Sequence, residues 1–517
     1  MKTWSRKDFL KASLIGGGAA FVAGQTRLYG QVAGAAGSAN GDIRVGVVGI
    51  NGQGNGHLRD YLKNLKGARA VAICDVDSVL LAKRAEECKA AGVVVETFTD
   101  YRKMLESKNI DAIVLGTPNH QHSLQTIWAL QAGKDVYCEK PLSHNVWEGR
   151  QAVAASLKYT KNIAMVGTQN RSSQDIPAAI EFVRSGKIGK IQFARALCYK
   201  ERASIGKTQG PQAVPGTVNY DLWSGPAPLV PSRRNSKARG PLHYDWHWFW
   251  NYGGGDITNQ GIHQMDVARW FLGEPGLPPS VMSIGGRFGY EDDAETPNTQ
   301  IAFLNYTKAP LIFEVRGLPR LAGTKGMDAY RGSSVGVVVQ CEGGYVQISE
   351  GGAANIFDND GKKLQGFVEG GNNAHRANFV KALQTRKVTV GLIEAAHYSS
   401  SLCHIANVSY LLGEEKSNSA IRESVYSNLV QSESYSRMME HLRANGVEVV
   451  GRKGEKEGEV IGGKSVKGPL LTIGPKTEMF TGANKTLVDA ANNNPLRKRV
   501  GRAGFEIPQL AMQVASI

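Results

Sequence analysis

The sequence predicts an α/β protein in which a doubly wound parallel sheet is followed by a domain with a mostly antiparallel sheet. Apolar, strand-like runs alternate with helical segments from residue 43 to about residue 160, as in parallel sheets. The later strand-like runs lack such crossover helices, which favours antiparallel pairing. The 517 residues, 42% hydrophobic and 21% charged, are typical of a globular protein with two or three domains.

The first predicted strand leads into a glycine-rich turn. Residues 43–50 form an apolar run, glycines stand at 49, 52 and 54, and helical spacing covers residues 58–65. A turn of this kind lets the backbone approach a pyrophosphate at the helix N-terminus. Asn51 stands where G-x-G-x-x-G has its second glycine, and asparagine tolerates a left-handed backbone. The alternative is a glycine turn without a ligand.

Asp75 closes the second predicted strand, 21 residues after Gly54. A carboxylate at this distance suits the 2′-hydroxyl of an NAD ribose and repels the 2′-phosphate of NADP. The sequence therefore predicts NAD as the cofactor.

Two polar clusters follow the next buried strands. The pattern continues with a helix at 79–91, a β segment at 93–97, a helix at 101–106, a strand at 110–116, a helix at 123–132 and a strand at 135–138. Residues 117–122 (Thr-Pro-Asn-His-Gln-His) and Glu139-Lys140-Pro141 come directly after two of these strands. Ligands bind at the carboxyl ends of parallel strands, although a lysine there is more often a solvated surface cation.

The second half contains β-like segments at 191–199, 300–306, 311–315 and 335–341. Between them lie Trp223 and an aromatic run that includes Trp246 and His247. Aromatic rings of this kind either stack on sugar faces or form a domain core. The sequence leaves both readings open.

Three glycines at 253–255 lead into a predicted helix. Asn259, His263, Asp266 and Trp270 follow at spacings of four, three and four residues, so they share one helix face. This face is either a binding site or a capped helix with a hydrogen-bonded histidine.

Four motifs together resemble the glucose-fructose oxidoreductase and inositol dehydrogenase family, often called Gfo/Idh/MocA. They are Gly-x-Asn-Gly-x-Gly at 49–54, Thr-Pro-Asn-His-x-His at 117–122, Cys-Glu-Lys-Pro-Leu at 138–142, and the triple glycine before His263. The resemblance implies a Rossmann domain followed by an α/β domain whose large, open, mostly antiparallel sheet covers the nicotinamide. It is weaker after residue 413.

The resemblance also implies roles for individual residues. Lys140 would lie beside the nicotinamide and the reacting hydroxyl, with His263 as general acid and base. Asn259 stands where the family has an aspartate. An amide cannot take up a proton, so Asp266, one helical turn further on, is expected to orient His263 instead. The residues expected to bind cofactor are Gly49, Asn51, Gly52, Gly54, Asp75, Thr117, Pro118, Asn119, His122, Glu139 and Lys140. Those expected to bind substrate are Trp223, Trp246, His247, Asn259 and His263, of which Asn259 and His263 join Lys140 as the catalytic residues.

Composition argues against several other classes. No basic run alternates with aromatic residues, although the net charge is +15, so nucleic-acid binding is not expected. The six cysteines show no metal-ligand spacing, which predicts small core residues and no metal site.

Residues 1–35 read as an export signal. A basic segment precedes a short apolar stretch at 12–23 and small residues. Twelve apolar residues are too few to span a bilayer, so no stable membrane insertion is expected. The segment around Ser5-Arg6-Lys7 resembles a twin-arginine signal, with Lys7 in place of the second arginine. An exported, periplasmic or extracytoplasmic location is therefore expected.

The expected domains are a signal at 1–35, an NAD-binding domain at 43–160, a substrate domain at 161–413, and an extension at 414–517. The extension is expected to hold a helix at 424–445 and an exposed loop at 451–468, and to pack on the core or on a neighbouring subunit of a homo-oligomer.

The expected function is oxidation or reduction of a secondary alcohol of a sugar, glycoside or polyol with bound, recycled NAD. One alternative is a redox-neutral NAD-dependent glycoside hydrolase or epimerase. Another is a sugar-binding protein of the same fold without catalysis, which Asn259 would support.

Overall fold

The structure is a computed structural model that describes residues 41–63, 65–233, 242–368, 371–447 and 465–510. The expected export signal at 1–35 lies outside the described residues, and so does most of the loop expected at 451–468. Within the described part of the chain, no helix is both long and apolar enough to cross a bilayer.

The first domain is built on a six-stranded parallel sheet. Its strands are β1 (Ile43–Val48), β2 (Ala68–Cys74), β3 (Glu96–Phe98), β4 (Ala112–Leu115), β5 (Asp135–Cys138) and β6 (Ala164–Val166). Their order in the sheet is β3-β2-β1-β4-β5-β6. The doubly wound parallel sheet that the sequence predicts is therefore confirmed. Its last strand, β6, lies beyond the boundary expected at residue 160.

Helices connect these strands and cover the sheet. They are α1 (Gly52–Lys63), α2 (Ser78–Ala90), α3 (Tyr101–Glu106), α4 (His122–Gln131) and α5 (Val146–Lys158). Side chains that accept bonds from free backbone amides begin three of them: Asp77 for α2, Asp100 for α3 and Asn145 for α5. Such caps satisfy amides that have no partner within the helix.

Helix α1 begins six residues earlier than the expected helix at 58–65. Glycines inside a helix lower its intrinsic stability, which is why residues 52–56 suggest a turn. Gly54 is required here, because a Cβ atom at this residue would lie 1.7 Å from the carbonyl oxygen of Gly49. The early start places Gln53 and His57 on α1, where both face the end of β5.

Among the residues that the structure describes, twelve strands form the sheet of the second domain. Its main strands are β7 (Ile191–Tyr199), β8 (Ser280–Gly286), β9 (Thr299–Asn305), β10 (Leu311–Arg316), β11 (Val335–Cys341), β12 (Gly344–Ser349), β13 (Ala354–Asp358) and β14 (Lys363–Phe367). All pair antiparallel except β7 and β10, which run parallel. The large, mostly antiparallel sheet is therefore confirmed.

In the described parts of this domain, six helices precede the extension. They are α6 (Asp175–Arg184), α7 (Tyr220–Ser224), α8 (Asp256–Asn259), α9 (Gly261–Leu272), α10 (His375–Thr385) and α11 (Ile393–Leu411). Residues of α9 and α11 pack with one face of the sheet in a large apolar cluster that includes Met265, Leu402 and Val281. The face expected to carry residues 259–270 is interrupted at Gln260, where α8 ends and α9 begins.

The extension adds to this domain. Its elements are β15 (Glu414–Lys416), α12 (Asn418–Val425), α13 (Leu429–Ala444), β16 (Ser465–Lys467), β17 (Leu471–Gly474), β18 (Met479–Thr481) and α14 (Lys485–Asn492). Both β16 and β17 pair with β8. Ile421 and Met438 pack against Met282 on the sheet face opposite α9.

Two details of the extension differ from expectation. The single helix expected at 424–445 is two helices, because Asn428 leaves the helical conformation and caps α13 by accepting a bond from the amide of Gln431. Residues 465–467 form a strand paired with β8 and β15, whereas the sequence suggested that they belong to an exposed loop.

The last described segment, residues 494–510, crosses back to the first domain. Arg499 is 8% exposed and pairs with Glu148 of α5, which is fully buried, at 2.5 Å. The same guanidinium donates to the backbone oxygen of His120 at 2.9 Å. The segment is therefore fixed to the first domain by a buried ion pair.

We expect Arg499→Ala to destabilise the protein strongly. The substitution leaves the Glu148 carboxylate buried without its partner, which costs about 3–5 kcal/mol. Thermal unfolding without added ligand measures the effect. Lys103→Ala is the matched control, because Lys103 and Glu106 form an exposed pair that contributes little. Equal midpoints for the two variants would contradict the assignment.

Candidate active site

A cavity of about 920 Å³ lies at the carboxyl ends of the parallel strands, under residues of the second domain. It brings together almost all residues that the sequence assigns to cofactor or substrate. Those that line it are Gly49, Asn51, Gly52, Asp75, Thr117, Pro118, Asn119, His122, Glu139, Lys140, Trp223, Trp246, His247, Asn259 and His263. Gly54 is the exception, since it packs against Gly49 and Gly116 behind the turn.

The glycine turn fits a phosphate group. Gly49 has a φ of 73°, and a Cβ atom there would lie 2.8 Å from the amide nitrogen of Thr117. Gly52, the first residue of α1, has a φ of 45° and no atom within 4 Å of its Cβ position. The start of α1 therefore borders open space in the cavity, as the binding of an anion at a helix N-terminus requires.

Asp75 lies where the ribose of a dinucleotide would be expected. Its two carboxylate oxygens accept bonds from the amides of Ile50 and Asp77, each at 3.0 Å. Burial, partly opposed by these bonds, raises the pKa of Asp75. Each carboxylate oxygen can accept a second bond, so the diol of a ribose can still be held from the cavity.

Glu139 links the glycine turn to the Lys140 loop. Its Oε1 accepts bonds from His57 at 2.8 Å, from Gln53 at 3.0 Å and from Gln169 at 3.3 Å. Burial opposes ionisation, but the bond and charge of His57 outweigh it and hold the pKa of Glu139 well below its usual range. Glu139 is therefore a buried carboxylate with fixed partners.

Lys140 reaches across to the second domain. Its Nζ donates to the backbone oxygen of Asn259 at 2.6 Å. Burial lowers the pKa of Lys140, although the charges of Glu139 and Asp256 oppose the shift. The ammonium group is thus less favoured than on a solvated lysine.

His263 is a neutral imidazole near pH 7. Burial, reinforced by the charge of Lys140, lowers the pKa of His263 to about 3. The expectation that Asp266 orients this ring is wrong. Asp266 is bound to Arg171 at 2.7 and 2.8 Å and to Ser399 at 2.6 Å, so its carboxylate is used within the fold.

The structure gives a physical reason for the amide at residue 259. The Nδ2 of Asn259 donates to Oδ1 of Asp256 at 3.3 Å, and Asp256 is paired with Arg202 at 2.6 Å. An aspartate at 259 would bring a second carboxylate against the first. In this part of the site, the carboxylate is therefore supplied by Asp256 and not by residue 259.

His122 lies between the two polar loops and also lines the cavity. Its ring nitrogens lie 2.6 Å from the backbone oxygen of Pro141 and 2.7 Å from that of Thr117. Both nitrogens thus face carbonyl oxygens of the two polar loops, and the neutral ring donates to one of them. Any contact of His122 with a cofactor would involve the ring edge, and it stays a prediction.

The aromatic residues belong partly to a core and partly to the cavity wall. Trp223 is 6% exposed and packs edge-on against Tyr252, with 4.7 Å between the ring centroids. Trp246 and His247 stack on each other at 3.6 Å and both line the cavity. Stacking of these rings on a sugar stays a prediction.

Sequence reasoning missed several lining residues that come from distant parts of the chain. His243 contacts Asp77 at 3.1 Å, Arg376 pairs with Asp60 beside the glycine turn, and Phe505 comes from the last described segment. None of them follows a strand or a glycine turn, so no local signal marks them. In the described parts of the chain, no cluster of His, Cys, Asp or Glu has the arrangement of a metal site, and all six cysteines are buried and unpaired.

Comparison with known proteins gives two matches to family models. Residues 43–168 match an oxidoreductase family's NAD-binding Rossmann fold, and residues 189–312 match an oxidoreductase family's C-terminal α/β domain. The chain is 32% identical to the inositol 2-dehydrogenase of Rubrobacter xylanophilus over 232 residues, which cover 45% of this chain and 53% of that one. It is 25% identical to the inositol 2-dehydrogenase of Salmonella paratyphi B over 181 residues, 35% of this chain and 52% of the relative. The chain thus spans about half the length of these relatives.

Solved structures show the same fold. The WlbA dehydrogenase of Bordetella pertussis, in complex with NADH and UDP-GlcNAcA, aligns with a TM-score of 0.50 and 21% identity over 71% of this chain and 96% of its own. The aldose-aldose oxidoreductase of Caulobacter crescentus, complexed with glycerol, aligns with a TM-score of 0.51 and 16% identity over 71% and 97%. Residues 43–168 form an NAD-binding Rossmann domain of the Gfo/Idh/MocA oxidoreductase family, and residues 189–312 match the C-terminal α/β domain of the same family.

Proposed function

We propose that this protein is an exported NAD-dependent oxidoreductase that acts on a secondary alcohol of a sugar, glycoside or polyol. The observation that carries the proposal is the single cavity that holds the glycine turn and Asp75 together with Lys140 and His263. The names of the inositol 2-dehydrogenase relatives support a polyol or sugar substrate.

Bound NAD would supply the group that accepts a hydride from the carbinol carbon. The chain's own residues would bind the dinucleotide and handle the proton. Gly49, Gly52 and the first amides of α1 would hold the pyrophosphate, and Asp75 would hold the ribose diol. The cavity wall formed by Trp246 and His247 would pack against the sugar ring.

The pKa shifts favour Lys140 as the group that takes the hydroxyl proton. A base works best when its pKa lies near the working pH. The pKa of Lys140 is lowered from 10.5, which moves it towards that range, whereas His263 at about 3 is a weak base. In this proposal, neutral His263 holds the hydroxyl by a hydrogen bond while the Lys140 amine receives the proton.

We expect Lys140→Ala and His263→Ala each to lower turnover by about two to four orders of magnitude, with NADH affinity unchanged within a few-fold. For alcohol oxidation, kcat/KM should rise with pH as Lys140 loses its proton, at a pH below 10.5. Lys140→Ala should abolish this dependence, and His263→Ala should retain it because His263 is already neutral.

The assay uses a panel of polyols and sugars with the unmodified enzyme first. If His263→Ala loses the pH dependence while Lys140→Ala keeps it, His263 is the base and the assignment to Lys140 is contradicted. Full turnover in both variants would overturn the catalytic site. Binding of NADH and sugars by the unmodified protein without turnover would support the non-catalytic alternative.

The amide of Asn259 gives a separate prediction. We expect Asn259→Asp to lower thermal stability, because it replaces a hydrogen bond to Asp256 with repulsion between carboxylates and costs about 1–3 kcal/mol. Repulsion raises the carboxyl pKa in the folded state, so the loss should be larger at pH 8 than at pH 5. Asn259→Leu is the control, since it adds no charge and should show no such pH dependence. A variant Asn259→Asp with unchanged stability and higher turnover would contradict this account.

We also propose that the protein leaves the cytoplasm with NAD(H) already bound and recycles it in place, by a second substrate or in a redox-neutral reaction. Residues 1–35 support export, and free NAD is not available outside the cytoplasm. Retention over many minutes requires a dissociation rate below about 10⁻³ s⁻¹, which at an ordinary association rate of about 10⁶ M⁻¹s⁻¹ means nanomolar affinity.

The test is purification of the exported protein without added cofactor, followed by long dialysis, denaturation and measurement of nicotinamide absorbance. We expect close to one dinucleotide per chain in the extracytoplasmic fraction. Protein that stays in the cytoplasm, or that is empty and binds NAD weakly, would contradict the proposal. Light scattering of the same sample tests the expected homo-oligomer.

A further inference from the structure

The segment at residues 494–510 connects both domains at one end of the cavity. Its Arg499 is buried against Glu148 of the first domain. Three residues later, Arg502 donates to Oδ1 of Asp221 at 2.7 Å and to the backbone oxygen of Gly225 at 2.9 Å. Asp221 belongs to α7, between β7 and β8. Beyond Phe505, the amide of Leu510 donates to Oε1 of Gln151 at 2.7 Å, so the segment is held on either side of Phe505.

Phe505 contributes directly to the cavity wall. Its side chain is 6% exposed, and its ring lies 6.2 Å from the ring of Trp128. The guanidinium groups of Arg102 and Arg502 stand 5.4 and 5.0 Å from the ring centroid. Arg102 and Trp128 also line the cavity, so this end of the site combines aromatic rings with a cation.

Strand order shows which half of a dinucleotide this end would receive. Arg102 lies on α3, directly after β3, and β3 is the edge strand beside β2 and Asp75. Lys140 follows β5, on the other side of β1. With the pyrophosphate at α1 and the ribose at Asp75, the adenine side lies towards β3 and the nicotinamide side towards β5.

The chemistry of the wall suits a purine base. Adenine has a flat π-face, which stacks on aromatic rings and on guanidinium groups. Asp100 keeps Arg102 in place, because its carboxylate accepts hydrogen bonds from the Arg102 guanidinium at 2.7 and 3.0 Å. The wall is thus built before any ligand arrives, which limits the entropy lost on binding.

We propose that Phe505, which the segment at residues 494–510 carries, is part of the cofactor site and together with Arg102 forms the wall against which the adenine of NAD packs. The proposal rests on the NAD-binding assignment and is independent of the substrate. It makes Phe505 a determinant of affinity for the adenosine half of the cofactor.

The test measures binding of NADH and of reduced nicotinamide mononucleotide, which lacks the adenosine half, to the full-length protein freed of cofactor. Phe505→Leu keeps an apolar side chain and removes the ring. Base–aromatic stacking contributes about 1–3 kcal/mol, so we expect Kd for NADH to rise about five- to a hundred-fold. Kd for the mononucleotide should change less than about two-fold.

Ile507→Ala is the matched control. Ile507 is buried in the same apolar cluster as Phe505 but does not line the cavity, so both Kd values should stay within about two-fold. The proposal is overturned if Phe505→Leu leaves NADH affinity unchanged, if both ligands weaken equally, or if Ile507→Ala weakens NADH as much. An unmodified protein that binds no NADH would overturn the cofactor assignment as well, whereas missing turnover would affect only the proposed substrate chemistry.

Discussion

The buried carboxylate of Glu139 is the interaction on which the site depends. It accepts bonds from His57 and Gln53 of α1 and from Gln169, at distances of 2.8 to 3.3 Å. These bonds join α1, which follows the glycine turn, to the loop that carries Lys140. A buried carboxylate is costly unless its hydrogen bonds are complete. Displacement of α1 or of the Lys140 loop would break them, so the two functional loops keep a fixed spacing.

Around this centre, the cavity is closed by parts of the chain that are far apart in sequence. Lys140 bonds to the backbone of Asn259, His243 contacts Asp77, and Arg376 pairs with Asp60. Each contact joins the second domain to the end of a parallel strand or to α1. The position of the second domain is therefore fixed by polar contacts at the site itself, as well as by apolar packing.

Sequence patterns were sufficient for the fold and for much of the site. Apolar runs locate strands such as β5 and β7 because buried strands require continuous apolar residues, and polar residues directly after strands mark the ligand edge. Patterns failed where a tertiary contact decides. Glycine content concealed the start of α1, because the contact between Gly54 and Gly49 is not visible in the sequence. Helical spacing placed Asp266 beside His263, but Arg171 and Ser399 bind its carboxylate.

The return of the last segment has a consequence for the order in which the protein can be assembled. The glycine turn begins near residue 49, whereas Phe505, which lines the same cavity, follows it only after both domains have been synthesised. During synthesis, the parallel sheet can form while the cavity is still open at its β3 side. Contacts between such distant residues form late and slowly. The β3 side of the cavity therefore closes only after Phe505 has been synthesised and its segment has packed, so a cofactor that needs this wall could not be held firmly by the first domain alone.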